Sequence, residues 1–170
     1  HRCEHFAPDG AALKSSLAEL DALFRNSPLG MAMIRVDGSI VRVNEAFAQM
    51  VGVEADALPG MRYAALTPQR LHALDREKTL DALHQGVVTP YERAFVRPDG
   101  TEVPVLLSGA VMRDAEGGTA IWTVVEDISE RKAAELALAA AHATNASIIA
   151  AMPDMLIQFD ANLRLVAVRT

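Results

Sequence analysis

The chain has 170 residues, a formal net charge of −6 and one cysteine, Cys3. Hydrophobic residues make up 51%, which excludes a disordered chain, and the lone cysteine excludes a disulfide framework or a multi-cysteine zinc site. Basic residues are outnumbered 16 to 22, which argues against a broad nucleic-acid surface.

The chain starts at His1 without a basic-then-apolar leader and stops soon after Val168, so it reads as a piece of a longer protein. The alanine-rich run 133–151 carries Glu135, His142, Thr144, Asn145 and Ser147. It is too polar for the roughly 20 apolar residues of a membrane span, so no membrane contact is expected in this segment.

Residues 11–24 read as a helix, because Leu13, Leu17, Leu20 and Phe24 fall on one stripe after a cap at Asp9-Gly10; Ser27-Pro28 ends it. Two β-prone runs, 30–36 and 39–43, flank Asp37-Gly38, a hairpin signal expected to form a type I′ turn. Asn44 then precedes an apolar helical run as an N-cap. Gly52 and Pro59-Gly60 punctuate the next stretch, and 62–86 is helical in character, broken by Pro68 and closed by Gly86. After Pro90 the period becomes two: Tyr91, Arg93 and Phe95 alternate with Glu92, Ala94 and Val96. Pro98-Asp99-Gly100 and residues 114–118 are turns that divide this part into three strands, 91–96, 102–113 and 119–126. The expected architecture is α+β, a five-stranded antiparallel sheet with helices on one face.

From Asp127 the pattern is helical again, with Asp127 and Glu130 spaced for a capping box. Ala134, Leu138, Ala141, Asn145, Ile148 and Met152 form a heptad seam that Pro153 stops, and Asn145 at a predicted a position would set register. Residues 155–168 read as a second hairpin about Asp160-Ala161-Asn162, echoing residues 29–43 in type and in following a helix that ends near proline.

Several motifs in register carry a family resemblance over about residues 22–130. They are Asp37-Gly38 followed by Val43-Asn44-Glu45-Ala46-Phe47, then Gly52 and Pro59-Gly60. Tyr91-Glu92-Arg93 leads to Arg97-Pro98-Asp99-Gly100, and Val103-Pro104-Val105 and Glu126-Asp127-Ile128-Ser129-Glu130 follow. The chain resembles a PAS domain of a bacterial sensory protein, with Ser129 standing where the terminal motif usually has threonine. The resemblance implies the PAS fold and a sensor that signals to a histidine kinase or a cyclic-dinucleotide enzyme. Residues 1–24 would then be an N-terminal helix and linker, 25–128 the sensor domain, 129–152 a signalling helix, and 153–170 the truncated start of a second PAS domain.

The residues also weigh the chemistry. Covalent flavin photochemistry in this family needs a cysteine over the sheet, whereas Cys3 precedes the core; a covalent flavin or a thioester-linked chromophore is not expected. Non-covalent flavin stays open, with Trp122 more simply a core or interface residue. A haem-binding member would carry its histidine near Asp75 or Arg76, while His72 and His84 flank that position and read as surface or satisfied histidines; haem is not expected, and no metal site is foreseen. No catalytic constellation appears: Ser108-Gly109 lies in a strand, and Glu126 and Asp127 diverge.

The candidate ligand-binding residues are Met33, Phe47, Tyr63, Leu74, Leu80, Tyr91, Phe95 and Leu107, with Tyr63, His72, Arg93, Ser108 and Thr123 as possible polar contacts. The same apolar residues would form the core of this fold with or without a ligand. Asp127, Glu130 and Asn145 are the candidates for signal transmission. Leu13, Leu17, Leu20, Phe24 and the 129–152 helix are the expected homodimer contacts. The reading is a cytoplasmic, non-enzymatic sensor of a small molecule or other stimulus, whose cofactor is unknown. The alternative is a ligand-free dimerisation or scaffolding module.

Overall fold

The structure, a computed structural model, describes residues 10–114, 116–151, 156–159 and 165–169. Cys3, Asp9, Met152, Pro153 and the 160–162 turn lie outside them. The chain divides into two compact units, His1–Ser129 and Glu130–Thr170.

The first unit begins with α1 (Gly10–Asn26), the hairpin β1 (Gly30–Arg35) and β2 (Ile40–Val43), and the short helix α2 (Glu45–Val51). Single 3-10 turns at Ala55–Ala57, Tyr63–Leu66 and Gln69–Leu71 lead into α3 (His72–Gln85). The long strands β3 (Val87–Val96), β4 (Glu102–Arg113) and β5 (Thr119–Asp127) follow. The sheet order is β2-β1-β5-β4-β3, antiparallel throughout. Strands β1 and β5 pair although 80-odd residues separate them in sequence, so the helices between the two strand groups cross one face of the sheet. This is the expected α+β architecture.

Directly paired residues share a face of the sheet. Ala32 pairs Thr123, Ile34 pairs Ile121, Leu107 pairs both Val125 and Tyr91, and Arg93 pairs Val105. These residues define the inner face, where Phe47 of α2 meets Phe95 edge-on at 5.4 Å, both fully buried. Met33 pairs Trp122 on the outer face. There α1 lays Phe24 against Trp122 at 5.3 Å, with the Arg42 guanidinium 4.2 Å over the Phe24 ring.

Asn44 shows why these pieces lock together. Its Oδ1 accepts from Phe47 N at 3.0 Å, the expected cap of α2, and also from Met31 N at 2.8 Å. Its Nδ2 donates to the carbonyls of Phe24 and Leu29 at 3.0 and 2.9 Å. One buried amide thus joins the end of α1, the start of β1 and α2.

Three expectations need correcting. The Asp37-Gly38 turn is not a two-residue type I′ turn: Arg35 N bonds Ser39 O and Gly38 N bonds Arg35 O, which leaves three residues in the loop and puts Gly38 at φ 87. This is the three-residue alternative in which a left-handed glycine ends a tight turn. The third strand does not start after Pro90 but at Val87, because a register shift between Val88 and Tyr91 absorbs the proline, which cannot donate to the ladder. Finally, the Asp127 carboxylate accepts from Ser129 N at 2.8 Å, two residues on, rather than from Glu130 as a capping box requires.

The second unit contains most of α4 (Ser129–Ala151), with β6 (Leu156–Phe159) and β7 (Leu165–Arg169) paired antiparallel. Leu138 and Ile148, the large apolar residues of the expected seam, are exposed, as are Leu13, Leu17 and Leu20 on α1. No helix among the described residues is long and apolar enough to cross a membrane.

Candidate functional site

Between α3, the turn preceding it and the inner face of the sheet lies a cleft of about 410 Å³. The sheet contributes Ile34, Val88, Tyr91, Arg93, Leu107, Ile121 and Thr123; the helical side contributes Tyr63, His72, Asp75, Leu80 and Leu83, among others. Its volume is in the lower part of the range of about 300–1,000 Å³ typical of small-molecule sites.

Arg93 is a buried charge in the wall of the cleft. The alternation of β3 turns it inward between Tyr91 and Phe95, and its side chain is 1% exposed. A buried guanidinium is costly unless paired. Here Nη1 donates to Asp75 Oδ1 at 2.7 Å and to Tyr63 Oη at 3.1 Å, while Nη2 donates to Thr67 Oγ1 at 2.6 Å. The guanidinium also lies 4.7 Å from the Phe95 ring centroid and 5.0 Å from that of Tyr63. Tyr91 Oη donates to Asp75 Oδ1 and Thr67 Oγ1 approaches Asp75 Oδ2, both at 3.3 Å.

These contacts set the protonation states. Burial works against the Arg93 charge, but Tyr63 and Asp75 outweigh it and hold the pKa above its ordinary value. Burial pushes the Tyr63 hydroxyl well up, against the opposing influence of Arg93, and raises Tyr91 in the same way. Both phenols are therefore neutral beside a permanently charged guanidinium, Tyr63 accepting from Arg93 and Tyr91 donating to Asp75. His72 Nε2 faces two carbonyl oxygens, Thr67 O at 3.0 Å and Ala64 O at 3.2 Å, so that nitrogen carries the proton. His84 Nδ1 lies 2.8 Å from Leu80 O at the end of α3.

Of the candidate ligand-binding residues, Tyr63, Leu80, Tyr91 and Leu107 come together at the cleft. Phe47 and Phe95 sit in the closed core, Leu74 is half-buried on α3, and Met33 lies on the outer face with Trp122. Among the polar candidates, Tyr63, His72, Arg93 and Thr123 line the cleft, whereas Ser108 alternates away from Leu107. Thr123 Oγ1 is committed to Ala32 O at 3.1 Å. Thr67 and Asp75 are the partners that sequence reasoning missed. A charged residue at an inward β position demands a counter-ion, which was the available signal for Asp75.

A family model for the PAS domain matches residues 28–130. The chain is 29% identical over 133 residues to the probable diguanylate cyclase DgcE of Escherichia coli, covering 73% of this chain and 12% of that protein. It is 33% identical over 134 residues to the C4-dicarboxylate transport sensor protein DctS of Rhodobacter capsulatus, covering 75% and 20%. The chain therefore spans a small part of these relatives. Among solved structures, the PAS domain of an HTR-like protein from Haloarcula marismortui superposes with a TM-score of 0.57 at 23% identity, over 69% of this chain and 96% of that one.

Proposed function

Because the chain belongs to the PAS domain family, we propose that it senses a small molecule in the α3 cleft and passes the change along β5 to α4. The cleft and its buried Arg93 network carry this reading: a closed core of this fold has no need of a charged cluster beneath an open cleft. Ile121 and Thr123 line the cleft, and the same strand ends at Asp127, whose carboxylate holds Ser129 N at the start of α4. A ligand shifts such a system only by binding two states differently; moving a 1:99 balance to 99:1 takes about 5.5 kcal/mol.

The effector is a histidine kinase or a cyclic-dinucleotide enzyme elsewhere in the protein, in keeping with relatives named as a sensor and a diguanylate cyclase. The module itself is non-catalytic and works in the cytoplasm. The β6–β7 pair begins a second PAS domain: like β1–β2, the two strands pair antiparallel with one register shift.

The exposed leucines of α1, with Leu138 and Ile148 of α4, favour a homodimer, and they support a second reading as a ligand-free scaffold. Native mass spectrometry of the purified protein separates the two. A co-purifying small molecule supports sensing, and an empty dimer supports scaffolding. In the full-length protein, Asp127→Ala is expected to uncouple stimulus from output while leaving the fold intact; unchanged output would refute the route through Asp127.

A further inference from the structure

We infer that the cleft takes a small carboxylate with a short apolar body, its head bound by the free side of Arg93. This rests on the sensing reading above and names the ligand class.

A guanidinium has five N–H donors. In Arg93, Nη1 donates to Asp75 and Tyr63 and Nη2 to Thr67, with Tyr91 beside the same guanidinium. Arg93 Nε is buried without a partner among the described residues. The donor left over is therefore Nε, on the edge of the guanidinium whose fork matches a carboxylate. Tyr63 Oη accepts from Arg93, and its own proton has no acceptor among the described residues.

The acceptors around them are already engaged. Asp75 Oδ1 receives Arg93 and Tyr91, Asp75 Oδ2 faces Thr67, and Thr123 Oγ1 is turned to Ala32 O. Around Arg93 a buried donor is thus left over while the neighbouring side-chain acceptors are already engaged. Leaving such donors unmet in a buried place is costly, and an acceptor-only group relieves the cost.

Charge favours an anion over a neutral carbonyl compound. Asp75 balances Arg93, and Arg35 is paired with Asp114 and Glu116 at 3.0 and 2.9 Å. Arg76 and Lys78 remain on the cleft wall against Asp37. The rest of the ligand is set by Leu80, Leu83, Val88 and Ile121. Leu80 is 52% and Leu83 36% exposed, so an apolar body covers surface that water now meets.

The experiment compares benzoate with benzamide and hexanoate with hexanamide, pairs that differ in charge at nearly constant shape, with inorganic phosphate as a third probe. Binding is read by calorimetry and thermal shift on the whole chain. The carboxylates are expected to bind at least about tenfold more tightly than their amides. Arg93→Lys, which keeps the charge and loses the fork, is expected to erase that preference. Leu83→Trp, which obstructs the cleft and leaves Arg93 in place, is expected to abolish binding of all the organic probes, and it decides the matter if Arg93→Lys does not fold. Amides binding as well as acids would overturn the anion assignment while leaving a ligand-binding cleft and the sensing reading intact. Phosphate binding that matches the carboxylates and survives Leu83→Trp would overturn the apolar body. No binding by any probe to folded protein would overturn the carboxylate class, while a co-purifying ligand of another class would still uphold sensing.

Discussion

At the scale of single residues, Asn44 and Arg93 hold opposite positions in the molecule. Asn44 satisfies every donor and acceptor it meets, and Arg93 leaves a donor over. Asn44→Ala strips partners from two amides and two carbonyls at once and is expected to cost roughly 2–4 kcal/mol in chemical denaturation. Asp75→Ala leaves the Arg93 charge buried without its counter-ion, and the expected loss is about 3–5 kcal/mol. Asp37 and Asp99 repeat one motif: each carboxylate accepts both N–H and O–H from the residue two places on, Ser39 or Thr101, and each is followed by a glycine at φ 87 or 84. Those bonds hold both carboxylates below their ordinary value of 3.8. Their contribution is therefore complete above that pH and is lost as pH falls through the lowered values. Asp37→Asn with Asp99→Asn is expected to flatten the acid limb of a stability–pH curve and leave neutral pH little changed. These aspartates were legible from sequence because an Asp-Gly pair is a local signal. Thr67 was not, because it lies between two 3-10 turns that have no apolar period, and its importance comes from a strand far along the chain.

At the scale of elements, the long strands formed where their period placed them, α3 formed with Ala82 rather than its leucines buried, and errors gathered where a local signal had a second meaning. Pro90 reads as a boundary, yet a strand can carry proline where its ladder is already out of register. Leu74 and Leu80 are six residues apart, about 120° around the axis of α3, so they face different sides: Leu80 is at the cleft and Leu74 is not. Strands β4 and β5 approach closely at Gly109, where an added Cβ would meet Trp122 O at 2.3 Å. Gly109→Ala must push the two strands apart and is expected to destabilise by roughly 1–3 kcal/mol, read by thermal unfolding. For α1, replacing Leu13, Leu17 and Leu20 together by serine is expected to weaken self-association in sedimentation without shifting the monomer's unfolding midpoint, since all three are already exposed.

At the scale of the whole molecule, the buried apolar cluster runs from Ala32 to Val125 and lies wholly within the first unit. A fragment ending at Ser129 is therefore expected to unfold cooperatively with nearly the midpoint of the full chain, as followed by circular dichroism. A midpoint many degrees lower would mean that the second unit stabilises the first. The order β2-β1-β5-β4-β3 has a mechanical consequence. Strand β5 occupies the centre of the sheet, bonded to β1 on one side and β4 on the other, and Ile128 N is tied to Pro104 O at 3.0 Å just beyond its end. An edge strand can be unzipped one bond at a time. A tug on β5 from its far end instead loads two ladders in parallel and in shear, so the strand resists until many bonds yield together. Small displacements at Ser129 are thus transmitted stiffly into the sheet, and equally out of it, with little lost to fraying.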